Sequence, residues 1–207
     1  MNVGTSLLIA TGNEGKIREL RELLAELPLQ LLGLKDFPES KSVPETGDTF
    51  VENASLKASG YARQAHVLTL ADDSGLEVDA LGGAPGVFSA RYVGEAASDV
   101  VRVNRLLAEL DDIEAAKRNA RFVSVVVIAD DEGRILNVSR GVCEGHIAFA
   151  PRGENGFGYD PVFVPLGYDS TFAELAPNVK NRISHRAQAL KSARDFLLTL
   201  TSPSGGS

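Results

Sequence analysis

The sequence is poor in cysteine: Cys143 is the single one among 207 residues. One thiol cannot form an intramolecular disulfide, so the fold has to hold without one, and this cysteine usage fits a reducing compartment. Cys143 also lacks the companions of a zinc site, and we interpret it as a small apolar residue of a strand. A disulfide scaffold is therefore excluded.

Positive charge is also scarce. Lys and Arg number 21 against 28 Asp and Glu, which gives a formal net charge of −7. General binding to nucleic acid is driven by clustered positive charge and counterion release, so this balance argues against a nucleic-acid partner. It leaves open a small anionic ligand that a few well-placed lysines hold.

Long apolar runs are missing as well. The richest one, residues 123–129, is far shorter than the roughly 20 residues that a membrane-spanning helix needs. The first cation is Lys16, and the apolar run over residues 7–10 is too short for a signal peptide. We therefore expect a soluble, cytoplasmic protein with no membrane partner.

Short apolar runs alternate with helical patterns along the chain, which is typical of an α/β fold. Strands are predicted over residues 6–10, 30–34 and 67–71, and a hairpin over 121–129 and 135–143. Helices are predicted before Pro28, over residues 49–65 and 98–110, and after Ser184, where the last one buries Leu190, Ala193, Leu197 and Leu200. We expect one domain over residues 1–200 and a flexible tail over 201–207.

The first loop joins a strand to a helix, and its residues are Thr11, Gly12, Asn13, Glu14, Gly15 and Lys16. Such a loop directs backbone N–H groups and the positive end of a helix dipole to one point, which suits a phosphate. It is not a Walker A loop, because the glycines are too close together and Ile17 stands where Ser or Thr would bind magnesium. A plain turn with a solvated Lys16 is the alternative reading.

Two adjacent acids, Asp72 and Asp73, follow the apolar run over residues 67–71. We predict that they lie directly after a buried strand, at the sheet edge where open α/β sheets place their ligands. Adjacent carboxylates repel each other unless a cation neutralises them, and oxygen ligands suit Mg²⁺. The alternative is an Asx turn with both acids solvated. Glu45 is a further candidate metal ligand from a loop.

A capping-box pattern at residues 49–52 opens the second helix. Asn53 and Lys57 lie one turn apart on one face of that helix. Lys57 is placed to reach a phosphate, although the alternative is a lysine that is merely solvated.

A glycine-rich loop later in the chain carries the rings of Phe157 and Tyr159. Such rings can stack on a nucleobase, and Gly158 lets the backbone approach the edge of the base, although either ring could equally belong to the core. His185 and Arg186, at a helix start, offer directional donors to a base carbonyl or a phosphate. The sequence contains no Gly-x-Ser-x-Gly elbow and no two-His metal motif, which excludes serine and zinc hydrolases.

Five stretches together resemble the inosine triphosphate pyrophosphatase family, the dITP/XTP pyrophosphatases that clear non-standard purine nucleotides. They occur in the family's order from residue 7 to about 190 and read LLIATGNEGKIREL, ETGDTFVENASLKA, ADDSGLEVDALGGAPGVFSARY, GFGYDPVF and KNRISHRAQAL. The resemblance implies Mg²⁺-dependent hydrolysis of ITP, dITP and XTP to the monophosphate and pyrophosphate. It further implies a homodimer of an elongated, two-lobed mixed sheet, flanked by helices and with a central substrate cleft.

The resemblance also implies roles for individual residues. Asp73 is the expected proton acceptor and, with Glu45, an expected metal ligand, while Ser74 lines the substrate site. The expected triphosphate ligands are Lys57 and the first-loop residues Thr11, Gly12, Asn13, Glu14, Gly15 and Lys16. The positions that match nucleobase recognition are Phe157, Gly158, Tyr159, Asp160, Lys180, His185 and Arg186.

Three rival functions differ in what they predict. Maf-like pyrophosphatases look similar in fold, but their first loop is rich in Ser and Arg, unlike TGNEGK here. A nucleotide-binding regulator would bind ITP without turnover, and the acids Glu45, Asp72 and Asp73 argue against it. An interaction domain would gain no protection against heat from nucleotides.

Overall fold

The computed structural model describes residues 6–201. The strands are β1 (Ser6–Ile9), β2 (Gln30–Gly33), β3 (Thr69–Val78), β4 (Asn119–Ala129), β5 (Ile135–Ile147) and β6 (Phe163–Pro165). The helices are α1 (Glu14–Leu24), α2 (Phe50–Ala65), α3 (Asp99–Glu109), α4 (Pro177–Ile183) and α5 (His185–Thr201). The predicted tail over residues 201–207 lies, apart from residue 201, outside the described residues.

The six strands form one mixed sheet in the order β2-β1-β3-β4-β5-β6. β1 is parallel to both β2 and β3, with Leu8 opposite Leu32 on one side and Thr69 on the other. β5 and β6 are antiparallel, with His146 opposite Val164. Helices separate the parallel strands along the chain, which confirms the predicted α/β class with a mixed sheet flanked by helices.

Local sequence signals placed the starts of α2 and α3 correctly, whereas β5 ends at Ile147 and not at residue 143 as predicted. The Thr49 side chain accepts a hydrogen bond from the Glu52 amide, and the Glu52 carboxylate accepts one from the Thr49 amide, so α2 begins with the predicted capping box. Ser98 caps α3. The short helix α4 escaped the sequence analysis, because seven residues are too few to show a helical period.

The chain forms two compact units, each with its own apolar core. The first comprises the described parts of residues 1–73, 125–140 and 189–207, and α1 and α5 line its core. Leu190, Ala193 and Leu197 are buried there as predicted. The predicted burial of Leu200 is wrong, since it is 42% exposed. It lies in the last turn of α5, beyond Leu197, the last α5 residue of this core.

The second unit comprises residues 74–124 and 141–188. Three phenylalanines pack together in its core: the ring centroid of Phe163 lies 4.7 Å from that of Phe122 and 5.1 Å from that of Phe172. Cys143 is buried in the same core, and burial raises the pKa of its thiol to about 12. This confirms the interpretation of Cys143 as an apolar strand residue.

Strand β3 is longer than the sequence predicted. The apolar run ends at residue 71, but the strand continues to Val78, so Asp72 and Asp73 lie inside it and not in a loop after it. Both the predicted position after the strand and the alternative Asx turn are therefore wrong. The reason is that each buried carboxylate has a lysine ammonium beside it, which offsets the cost of placing charge in a central strand.

Two expectations about the whole chain stay predictions, namely the single domain over residues 1–200 and the central cleft.

Across residues 6–201, no helix has both the length and the apolar character that crossing a bilayer requires.

Candidate active site

Two carboxylates of β3 each contact a lysine of the first unit. Lys16 Nζ lies 2.8 Å from Asp72 Oδ2, and Lys57 Nζ lies 2.9 Å from Asp73 Oδ1. Successive side chains of a strand point to opposite faces of the sheet. Asp72 therefore faces the start of α1, which carries Lys16, and Asp73 faces α2, which carries Lys57. The alternatives with a solvated lysine are wrong at both positions, since both ammonium groups are paired with buried acids.

Lys57 also contacts the loop acid Glu45, with Nζ 3.2 Å from Glu45 Oε2. We call Lys16, Glu45, Lys57, Asp72 and Asp73 the acid–lysine cluster. Burial lowers the pKa of Lys57, but the nearby charges of Asp73 and Glu45 outweigh that effect, and the pKa ends above its ordinary value. Lys57 therefore stays charged and holds two carboxylates close together.

Asp73 has one engaged and one open carboxylate oxygen. Oδ1 accepts a hydrogen bond from Lys57, whereas Oδ2 is buried and has no hydrogen-bond partner within residues 6–201. Burial raises the pKa of Asp73, and the attraction of Lys57 and Lys16 only partly opposes this. A buried carboxylate oxygen without a partner is costly, which makes Oδ2 a place for a cation or a proton.

The donor set of this cluster fits Mg²⁺. Mg²⁺ is usually bound by one or two carboxylates together with substrate phosphates and water, and Glu45 and Asp73 supply two carboxylates. Within the described part of the chain, no group of three or more His, Cys, Asp and Glu side chains could hold a metal ion. A binding mode that includes substrate phosphates is therefore the one that these residues suit.

The first loop presents backbone donors at the start of α1. Asn13 caps the helix by accepting a hydrogen bond from the Lys16 amide at 3.0 Å, and Thr11 Oγ1 accepts one from the Asn13 amide at 3.2 Å. The amides of Glu14 and Gly15, in the first turn, have no partner within the helix. The helix start predicted after this loop is confirmed, and its binding of phosphate stays a prediction.

Two further first-loop residues, Glu14 and Gly12, differ in their surroundings. The Glu14 carboxylate contacts Lys35 at 2.8 Å, and the hydrogen bond from Lys35 lowers its pKa. No atom comes within 4 Å of a Cβ placed on Gly12, so the space above this glycine is open.

A second group of predicted residues comes together in the second unit. Lys180 Nζ lies 2.5 Å from Asp160 Oδ2 and 5.0 Å from the ring centroid of Phe157. The guanidinium of the buried Arg186 lies 5.7 Å from the same ring and donates a hydrogen bond to Ser74 Oγ at 3.0 Å. We call these five residues the ring–cation cluster.

Two other predicted residues direct their rings into the core. The buried Tyr159 donates its hydroxyl hydrogen to the backbone carbonyl of Ser89 at 3.0 Å, and burial raises its pKa. The imidazole of His185 stacks on Phe122 with centroids 4.7 Å apart and planes 11° apart. Of the two loop aromatics, Tyr159 therefore packs as a core residue, and Phe157 is the half-buried ring.

Sequence reasoning missed two residues that shape the 157–160 loop. Gly156 has a φ of +79°, and a Cβ there would lie 1.9 Å from Asp160 Oδ2. Asp99 Oδ2, on α3, accepts a hydrogen bond from the Gly158 amide at 2.7 Å. The GFGYD stretch contains both Gly156 and Gly158. Only the position of the Asp160 carboxylate in the structure shows that Gly156 is the one that must lack a side chain. Asp99 gave no signal, because it lies 59 residues from Gly158.

The fold and the two clusters define the class: an α/β protein with one cluster suited to a polyanion and a cation, and another suited to a planar ring. The model of the Ham1 family matches residues 7–196. The chain belongs to the Ham1 family, which confirms the family that the sequence motifs indicated.

Individual relatives cover nearly the whole chain. The dITP/XTP pyrophosphatase of Geobacillus kaustophilus is 51% identical over 184 residues, which are 89% of this chain and 90% of the relative. That of Oceanobacillus iheyensis is 44% identical over 195 residues, 94% of this chain and 98% of the relative. The solved structure of a HAM1 protein from Coxiella burnetii has a TM-score of 0.85 at 42% identity and covers 94% of this chain and 99% of its own.

Replacing Gly156 with alanine tests the packing of the 157–160 loop. We expect Gly156→Ala to lower the free energy of unfolding by about 3 kcal/mol or more, because it combines a left-handed backbone with a steric clash against Asp160. Gly158→Ala is the matched control: Gly158 has a φ of +62° but open space around it, so about 1–2 kcal/mol of backbone strain is expected. Denaturant unfolding measures both, and equal losses would contradict this account.

Proposed function

We propose that this chain hydrolyses the noncanonical purine nucleotides ITP, dITP and XTP to the nucleoside monophosphate and pyrophosphate, with Mg²⁺ as cofactor. Its family and its identity of 44% and 51% to dITP/XTP pyrophosphatases make it a nucleoside triphosphate pyrophosphatase, a hydrolase. The observation that carries the chemical proposal is the open oxygen of Asp73, buried beside Lys57 and Glu45.

Binding a triphosphate requires that its negative charge be neutralised. Lys16 and Lys57 supply two ammonium groups, and the first turn of α1 supplies the amides of Glu14 and Gly15. In the structure, Lys16 pairs with Asp72, and Lys57 pairs with Asp73 and Glu45. Phosphate oxygens carry negative charge as these carboxylates do, so both lysines can donate to them as well.

Glu45 and Asp73 are the residues that would hold Mg²⁺. When bound, the ion supplies charge neutralisation on the triphosphate and stabilises pyrophosphate as a leaving group. Lys57 holds both carboxylates within hydrogen-bond distance of its ammonium, so their positions are set before any ligand binds.

We assign the proton transfer to Asp73. Water attacks the α-phosphorus, the bond between the α-phosphorus and the bridging oxygen breaks, and pyrophosphate leaves in line with the attack. The water proton passes to the Asp73 carboxylate, whose Oδ1 is held by Lys57.

The ring–cation cluster supports discrimination among purines. Lys180 and Arg186 are donors that suit a 6-oxo group, which is an acceptor, whereas adenine places a 6-amino donor at the same position. A 2-amino group needs an acceptor, but Asp160 Oδ2 already accepts hydrogen bonds from Lys180 Nζ at 2.5 Å and from the Phe157 amide at 2.8 Å. In this proposal guanine buries an unmatched 2-amino group, which hypoxanthine lacks.

The cellular role follows from the substrate class: the enzyme would remove these nucleotides from the pool before they enter DNA or RNA. A homodimer in the cytoplasm is part of the same proposal. The family resemblance supports the dimer, and the single cysteine supports the reducing compartment. Sedimentation analysis of the 22.0 kDa chain tests the dimer.

A product assay tests the proposed function. The protein is incubated with Mg²⁺ and ITP, XTP, dTTP, GTP or ATP, and pyrophosphate and orthophosphate are measured separately. We expect pyrophosphate as the primary product, released fastest from ITP and XTP. Orthophosphate as the primary product, or equal rates on ATP and ITP, would rule out the assignment, and saturable binding without any product would favour a regulator.

Replacing Asp73 with asparagine separates catalysis from binding. We expect Asp73→Asn to lower turnover by about 10²-fold or more, because the amide cannot accept the proton, while nucleotide binding stays measurable by calorimetry. Asp131→Asn, at an exposed position, is the control. A near-normal rate in Asp73→Asn would remove this residue from its role.

Replacing Arg186 probes base recognition. We expect Arg186→Ala to reduce the ratio of kcat/KM for ITP over ATP by about tenfold, with a smaller effect on affinity for inorganic triphosphate, because a buried donor to the base is lost. Arg182→Ala, at an exposed position of α4, is the matched control. Unchanged discrimination in a folded Arg186→Ala protein would place the base elsewhere.

A further inference from the structure

The loop that carries Glu45 is fastened to α2 by Asn53. This side chain is fully buried and makes both of its amide hydrogen bonds to one residue, Gly47. Asn53 Oδ1 accepts from the Gly47 amide at 2.8 Å, and Asn53 Nδ2 donates to the Gly47 carbonyl at 3.2 Å. A pair of bonds to the two backbone groups of one residue fixes the orientation of that residue as well as its position.

The loop lies too close to α2 for a side chain at residue 47. A Cβ on Gly47 would lie 2.5 Å from the Cβ of Glu52 and 3.0 Å from Asn53 Oδ1. The next two amides, those of Asp48 and Thr49, donate to Glu52 Oε2 at 2.8 Å and 3.0 Å. Three consecutive loop residues are therefore bound to side chains from the first turn of α2.

Glu45 lies two residues before this fixed segment, and the position of its carboxylate depends on the segment. Its side chain is 35% exposed, and its carboxylate contacts Lys57 at 3.2 Å. Asn53 and Lys57 stand one turn apart on the buried face of α2, so this one face holds both the loop backbone and the Glu45 carboxylate. If the backbone anchor were lost, the contact with Lys57 alone would leave the carboxylate free to turn to solvent.

We propose that Asn53 is a positioning residue that sets the affinity for the divalent cation by holding the Glu45 loop against α2. This proposal rests on the proposed function, in which Glu45 and Asp73 hold Mg²⁺. Asn53 touches neither substrate nor cation in this account and acts through Gly47 and Glu45. Metal ligands need support of this kind, because a site that is about 1 Å too loose loses much of its affinity.

The test compares wild-type protein with Asn53→Ala, which removes both bonds, and Asn53→Asp, which keeps the acceptor but places a carboxylate against the Gly47 carbonyl. Binding of Mn²⁺ is measured by electron paramagnetic resonance in the presence of an ITP analogue with a methylene bridge between the α- and β-phosphorus. This readout needs no turnover. The Mg²⁺ dependence of the rate on ITP and the thermal midpoint without metal are measured on the same proteins.

We expect Asn53→Ala to weaken Mn²⁺ binding by about 10-fold or more and to raise the Mg²⁺ concentration for half-maximal rate by a similar factor. At saturating Mg²⁺, kcat should be largely restored. Gly47→Ala should shift the metal dependence in the same direction, because it disturbs the same contact and leaves Asn53 in place. Asn104→Ala, at an exposed position of α3, should change neither quantity.

The outcomes separate this proposal from the proposed function. Unchanged Mn²⁺ affinity in both Asn53→Asp and Gly47→Ala would overturn the role of Asn53, even if Asn53→Ala fails to fold. A rate loss that saturating Mg²⁺ does not restore would show a merely structural role and overturn it as well. Wild-type protein that binds Mn²⁺ but releases no pyrophosphate would instead overturn the proposed function.

Discussion

The ion pair between Lys57 and Asp73 is the interaction on which the acid–lysine cluster depends. Removing two charges from water costs several kcal/mol per ion, and the contact at 2.9 Å, with Glu45 as a second partner of Lys57, opposes this cost. The raised pKa of Lys57 contributes stability throughout the neutral range. The raised pKa of Asp73 means that its ionised form is disfavoured by folding, so its contribution falls as the pH rises through that pKa.

The alternation of side chains along β3 explains how two adjacent acids are tolerated. Asp72 and Asp73 point to opposite faces of the sheet, so each meets a lysine from a different helix, Lys16 of α1 and Lys57 of α2. The same strand continues with Ser74, which receives a hydrogen bond from Arg186 in the second unit. Three consecutive residues thus serve three different partners, which a turn at this position could not provide with the same precision.

Contacts that are distant in sequence build the ring–cation cluster. Arg186 and Ser74 are 112 residues apart, and Gly158 and Asp99 are 59 residues apart. The loop around Phe157 is held by side chains, since Asp160 accepts from the Phe157 amide and Asp99 from the Gly158 amide. Two carboxylates from different parts of the chain therefore hold the backbone of this loop in place.

The sequence by itself determined the features that depend on near neighbours: the capping box of α2, the Ser98 cap of α3, the hairpin and the α/β class, together with the family motifs. Only the tertiary structure decided that β3 continues through Asp72 and Asp73, that Tyr159 packs in the core, and that Leu200 stays exposed. The physical reason is the distance along the sequence between a group and the partner that satisfies it. Caps and turns are satisfied within about four residues, whereas a buried charge or ring is stable only if a distant part of the chain supplies its partner.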